Sequence, residues 1–366
     1  MNILKPGSPA EVSEAVRSSK RLRPLGGGTK PALSDACEGC AVLDLSGLSG
    51  ILEYDPGEYT FTALAGTPVR VVEEALSEHG QYLPFDPPLR RSGATLGGTV
   101  AAGLSGPGRY RYGGVRDFLV GAGFVDGDGR ELRGGGKVVK NAAGFDFPKL
   151  LTGSLGEMGV LVDLTFKVFP RKEAFATLTV ETGGLSESLT AISSLNCSTE
   201  ELFALELEPP GKLVMRVGGC EPVIPGLLER LRGLLKSPGL VVEQEEVHWD
   251  NQAEFSWVAS EDALIKVPAT LAIIETIDTR LEELGAERRY GCGGNVAWIG
   301  WPAGEPLASL EGILSEAGTR GLILRAPDVS LVSPVLNRAP GAFEDRIRSV
   351  LDSPGTFSRR ELAGEE

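Results

Sequence analysis

The chain has 366 residues, 42% of them apolar, enough for two or three domains with substantial cores. A net charge of −14 excludes the basic face that a nucleic-acid binder or a polybasic membrane anchor needs. The five cysteines are odd in number and irregular in spacing, which argues against a disulfide framework and for a reducing compartment.

A first helix is well marked: Ser8 caps it, Pro9 suits its first position and Glu11 completes a capping box. Val12, Ala15 and Val16 give it one apolar face. A strand over 21–25 then feeds the glycines of "PLGGGTK". Cys37 and Cys40 form a lone C-x2-C; a zinc or redox role ranks below a surface loop with ordinary thiols. "AVLDLS", "GILEY" and "YTFTALAG" read as strands. A second helix starts with Thr67 as cap and Pro68 at its first position, and ends at Gly80. Small residues dominate "GATLGGTVAAGLSG", Gly93 to Gly106, and two apolar strands follow, "FLVGAGFVDG" and "GVLVDLTFKVFP".

Charged residues after Pro170 mark a boundary. Beyond it two βαββαβ sets are expected. The first has strands over 175–182, 201–208, 212–218 and 239–247 with helices over 185–195 and 223–236. The second has strands over 263–268, 286–291, 294–301 and 321–326 with helices over 270–284 and 306–317. Two such units predict an antiparallel sheet with helices on one face. "FEDRIRSVLD" reads as a last helix. No basic stretch followed by an apolar run opens the chain, and no apolar run approaches the roughly 20 residues of a membrane span. A soluble, cytoplasmic protein is expected, with attachment to the inner membrane through partners as an option.

The glycine segments carry the chemistry. "GGGTK" lacks the frame of a Walker loop, and Pro31 stands where the third glycine of G-x-G-x-x-G belongs. Gly26, Gly27 and Gly28 are still able to turn successive N–H groups toward one anion, although a simple turn explains the triplet equally well. Gly93, Ala94, Thr95, Gly97, Gly98, Thr99, Ala102 and Gly103 make a second small-sided surface, most easily explained by a large flat ligand. The segment Lys137 to Val162 holds Lys140, Asn141, Gly144, Asp146, Gly156, Gly159 and Val160. It reads either as a charged helix with a glycine stop or as one wall of a dinucleotide cleft.

In their order and spacing "PLGGGTK", "GATLGGTVAAGLSG" and "KNAAGFDFPKLLTGSLGEMGVL" resemble the PCMH-type (vanillyl-alcohol-oxidase-type) FAD-binding family, over about residues 1–170. "QYLPFDPP", with Pro87, is similar to the segment that lines the flavin ring there. The resemblance implies an α+β protein with a two-subdomain FAD-binding domain, about 1–66 and 67–170, and an α+β cap domain over 171–330 with an antiparallel sheet. A C-terminal segment, 331–366, returns toward the FAD domain; it departs from the family's terminal element at Ser358 and Arg359. It implies FAD held by Gly26, Gly27, Gly28, Thr29, Lys30, Pro87 and the residues of the second and third segments named above. Covalent members use a histidine where Thr29 stands, so noncovalent FAD is expected.

Within the family the chain is most similar to the FAD-binding E subunits of bacterial glycolate oxidases. That likeness implies a hetero-oligomer with a larger FAD-containing catalytic subunit and an iron–sulfur subunit that takes electrons onward. The chain has no cysteine spacing for a cluster of its own. Catalytic relatives carry a histidine-rich metal cluster in the cap. With only His79 and His248 here, no metal site is expected. Oxidation of a 2-hydroxy acid such as glycolate needs a cation for the carboxylate. Arg109, Arg111 and Arg116 are candidates, although "GRYRYGGVRD" also suits a solvated turn or a subunit contact. The alternatives are a self-sufficient FAD-dependent 2-hydroxy-acid dehydrogenase, a flavin-free scaffold and, more distantly, an enolpyruvyl-sugar reductase using NADPH.

Overall fold

The computed structural model describes residues 2–34, 39–136, 145–243, 245–328, 333–338 and 341–357. Ile3–Leu4, Ala41–Asp44 and Leu22–Leu25 form a parallel sheet with Ala41–Asp44 in the middle. Helix Pro9–Ser18 packs Val12 and Val16 against Leu22 and Leu43. The predicted cap is present, since Ser8 accepts from the N–H of Glu11, but the capping box is not completed: the Glu11 carboxylate accepts from the N–H of Gly7 in place of Ser8.

A second, antiparallel sheet runs in the order Ile51–Asp55, Thr60–Leu64, Val160–Lys167, Leu119–Val125 and Glu131–Gly135. Helix Val69–Ser77 buries Val69, Val72 and Leu76, but Pro68 takes the cap position. Thr67 instead accepts from the N–H of Gly50 at 2.9 Å and donates to the carbonyl of Leu64 at 2.6 Å. A hydroxyl held by a neighbouring strand is not free to cap. Part of the second glycine segment, read as a loop, is helical over Leu96–Ala102. Thr95 caps it by accepting from Gly98, and Gly103 ends it at φ +61°.

The two βαββαβ sets fuse into one antiparallel sheet of nine strands. Its order is Leu240–Val241, Ala174–Glu181, Lys212–Gly219, Ala204–Glu208, Glu287–Gly291, Val296–Trp301, Ala263–Pro268, Gly321–Arg325 and Val335–Leu336. Helices Leu185–Asn196, Ile224–Leu235, Leu271–Glu283 and Leu307–Glu316 share one apolar cluster with Ala263, Ile265 and Val267. Leu264, Trp298 and Leu324, on the opposite face, join the core of the five-stranded sheet. Alternation along each strand therefore splits the sheet between its own helices and the N-terminal body.

Two expectations are corrected. The strand over 239–247 shrinks to Leu240–Val241 at the sheet edge, and Glu245–Ala253 is a helix. Trp249 drives that change: it is buried with Ala204 and Val214, and its indole N–H donates to Thr177. Cys40, read as an ordinary thiol, is in a disulfide whose partner lies outside the described residues. After helix Ala342–Leu351 the chain returns to the first sheet. Phe357 bridges to Leu22 and is buried there, and the Leu22 N–H donates to the carbonyl of Thr356.

Candidate functional site

Three distant segments converge on one cleft. Gly26 to Lys30 form one wall, Thr95, Gly97, Gly98, Ala101 and Ala102 a second, and Leu155, Gly156, Gly159 and Leu161 a third. Pro24, Leu33, Leu45 and Ala65 complete an apolar floor around about 670 Å³ that opens to solvent.

The glycines have separate reasons. A Cβ on Gly27 would lie 1.9 Å from the carbonyl oxygen of Gly93, and one on Gly97 would lie 2.9 Å from that of Ala65. These glycines let the segments touch each other. Gly28 has φ +66° and Gly156 φ +75°, which a side chain disfavours. Gly98 differs: its Cβ would meet only the Thr95 hydroxyl at 3.1 Å and the Lys30 ammonium at 3.8 Å. Its bare backbone faces the cleft.

Lys30 dominates the electrostatics. It is 8% exposed, and its ammonium donates to the Thr29 hydroxyl at 3.0 Å. Among the described residues no carboxylate pairs with it. Burial brings its pKa down to about 8. An uncompensated cation in an apolar cleft calls for an anion.

None of the remaining predicted cofactor residues that are described lines this cleft itself. Gly93 faces Gly27, and the carbonyl of Ala94 accepts from Val69. Thr99 is buried with its hydroxyl unpartnered among the described residues. Gly103 ends the helix, and Val160 is buried at the start of its strand. Pro87 is buried in the segment before the second wall. Asp146 caps the helix Phe147–Leu151. Lys140, Asn141 and Gly144 lie outside the described residues. Leu33, Leu45, Ala65 and Leu161 were missed by sequence reasoning because ordinary core residues carry no local signal.

A second cleft adjoins the first and shares Ala102 and Leu155 with it. Lys266, Arg320, Arg338, Glu157 and Glu344 contribute its charged groups. Arg338 is bound by Glu157, at 3.2 and 2.9 Å, and by Glu344 at 2.6 Å. Lys266 comes from the nine-stranded sheet and was also missed. Its only signal was a single charge inside the apolar run "ALIKVP". Burial lowers its pKa to about 8, and the Arg109 charge adds to the effect.

The three candidate arginines separate. Arg111 pairs with Glu201 at 3.0 Å and lies over the Phe203 ring, in a contact between the N-terminal body and the large sheet. Arg116 is exposed on the short helix Val115–Phe118. Arg109 acts on Lys266. His79 packs edge-on against Tyr54, and His248 against Trp249. Among the described residues no group of three His, Cys, Asp or Glu side chains gathers as a metal site would require. No helix among them is long and apolar enough to cross a membrane.

Residues 2–135 match a family model described as an FAD binding domain. The chain is 41% identical over 183 residues to glycolate oxidase subunit GlcE of Escherichia coli (strain K12), covering 50% of this chain and 52% of that one. It is 33% identical over 171 residues to a D-2-hydroxyglutarate dehydrogenase of Xanthomonas citri pv. viticola, covering 45% of this chain and 36% of that one. The matched region thus spans about half the length of the first relative and about a third of the second. In solved structures the fold matches an alkyldihydroxyacetonephosphate synthase, with a TM-score of 0.70 at 15% identity, covering 98% of this chain and 76% of that one. Residues 2–135 are thus similar to an FAD-binding domain, and the cofactor is FAD. The cleft suits the cofactor: a buried ammonium with no carboxylate partner among the described residues for the pyrophosphate, bare backbone at Gly98, and an apolar floor.

Proposed function

We propose that this chain is the FAD-carrying subunit of a complex that oxidises a small 2-hydroxy acid, glycolate first among them. The reading divides the chain into an FAD domain over 1–170, a cap over 171–330 and a returning segment over 331–366. The observation that carries it is Lys30, a buried cation with no carboxylate partner among the described residues, on a glycine-walled cleft. Likeness to a glycolate oxidase subunit and a 2-hydroxyglutarate dehydrogenase supports the substrate class.

In this reading Gly26 to Lys30 and Thr95 to Gly98 hold the cofactor's pyrophosphate, and Leu155 to Val160 close over its adenosine half. The bound flavin supplies a hydride acceptor for the carbon that bears the substrate hydroxyl. The chain's residues bind the cofactor, keep water from its apolar floor and offer cations to a carboxylate. A larger flavin subunit and an iron–sulfur subunit are the proposed partners, and they are also the proposed route to the membrane surface.

A second reading makes the chain self-sufficient. The cleft around Lys266 favours it, because a subunit that only relays electrons has no use for an unpaired cation there. An anaerobic visible spectrum of the purified chain, before and after glycolate, decides between them. Bleaching makes this chain catalytic. Bound flavin that stays yellow alone but bleaches with its partners supports the complex. Absence of any flavin would sink both.

A further inference from the structure

We propose that Lys266, with Arg109 beside it, binds the carboxylate of a small monocarboxylic substrate in the second cleft. This rests on the reading of the chain as a 2-hydroxy-acid-oxidising flavoprotein and names the residues that read the acid.

Lys266 is the only charged residue of the strand Ala263–Pro268. Ala263, Ile265 and Val267 face the helices of the large sheet, whereas Leu264 joins the core of the N-terminal body. By alternation Lys266 points the same way as Leu264, toward that body. Its ammonium donates to the Gly103 carbonyl at 3.0 Å. That uses one of three N–H donors.

No carboxylate pairs with Lys266 among the described residues. Burial lowers its pKa first, and the positive charge of Arg109 adds to that. Arg109 makes no ion pair among the described residues either. In the same cleft Arg338 has two carboxylates, whereas Lys266 and Arg320 show none among the described residues. Like charges gathered at one cleft repel each other, and a bound anion reverses that cost. Their place suits substrate, because the Lys266 cleft shares Ala102 and Leu155 with the FAD cleft. Two cations, one already bonded to a carbonyl, suit a monoanion better than a phosphate dianion.

The test uses the FAD-loaded chain and two probes that cannot be oxidised at the free hydroxyl, methoxyacetate and its neutral amide, methoxyacetamide. Affinities are read from perturbation of the flavin spectrum and from calorimetry. Wild type should prefer the carboxylate by roughly 10-fold or more, the scale of one charge-assisted contact. Lys266→Met should bring that ratio near one at unchanged FAD content, and Lys266→Arg should restore most of it. Arg109→Gln, at an exposed position, keeps the test open if Lys266→Met fails to fold, and should lower the ratio too. An unchanged ratio in Lys266→Met and Arg109→Gln, with wild type still preferring the carboxylate, overturns the proposal alone. A shifted flavin potential with an unchanged ratio overturns it as well and reassigns Lys266 to the cofactor. If wild type prefers neither probe and glycolate leaves the flavin oxidised with or without partners, the 2-hydroxy-acid reading falls, and this proposal with it.

Discussion

The ammonium of Lys266 donates to the carbonyl of Gly103, the residue that ends the helix Leu96–Ala102 in the left-handed region. One hydrogen bond thus ties the nine-stranded sheet to a wall of the FAD cleft. A shift of the sheet would be felt at the end of that helix.

Lys30 should separate binding from stability. Lys30→Met removes a charge-assisted contact, and FAD affinity should fall roughly 10- to 100-fold. The apo chain should become more stable at pH 7, because an uncompensated buried charge is removed. FAD retained on gel filtration and urea midpoints of the apo protein measure the two effects. A variant that keeps wild-type FAD affinity would remove Lys30 from the site.

The apo chain should gain stability with rising pH. Lys30 has a folded pKa of about 8, below its ordinary value of 10.5. Between these values the unfolded chain binds more protons than the folded one, so unfolding free energy rises with pH. The penalty is complete below pH 8 and gone above about pH 10.5, with an upper size of about 3 kcal/mol. FAD should flatten the slope by raising the Lys30 pKa. Urea titrations of apo, FAD-loaded and Lys30→Met protein test this; equal slopes in all three would contradict it.

Gly27 and Gly98 should respond differently to alanine. A Cβ at Gly27 meets the Gly93 carbonyl at 1.9 Å, so Gly27→Ala should destabilise the apo fold by about 2 kcal/mol or more. Gly98 sits in a helix, where alanine is favoured by about 1 kcal/mol, against a close contact with Thr95. Gly98→Ala should therefore stay within about 1 kcal/mol of wild type and lose FAD affinity. Melting curves beside FAD titrations separate the two.

Arg338 should matter for stability. It bonds to Glu157, which is 2% exposed and belongs to the third glycine segment. Arg338→Ala removes two charge-assisted hydrogen bonds from that buried carboxylate and should cost about 2–3 kcal/mol. Arg338→Lys should recover part of the loss, since an ammonium cannot reproduce the two-pronged contact. Chemical denaturation measures both.

Local chemistry was legible. Ser8, Pro9 and Glu11 set a helix start within four residues, and the side-chain contacts of Ser8 and Glu11 stay within residues 7–11. The periodicity of 185–195 and 270–284 likewise located the helices Leu185–Asn196 and Leu271–Glu283. Where a residue had a distant competitor, the local reading failed. Thr67 looked like a cap but is held by Gly50 and Leu64, and the run over 239–247 looked like a strand until Trp249 found its pocket against the sheet.

The sequence by itself determined the glycine segments and most of the order of the elements, which follow from backbone freedom and hydrophobic period, properties of short stretches; the class of cofactor was implied by the resemblance that those segments carry. Tertiary structure alone decided why Gly27 must be glycine, since the Gly93 carbonyl lies far away in sequence. It also decided how cations are paired. Lys30 and Arg111 look alike in sequence; one is buried with no carboxylate partner among the described residues and the other is bound to Glu201. Pairing of charges depends on which surfaces the fold brings together, and the hydrophobic burial that drives folding is blind to it.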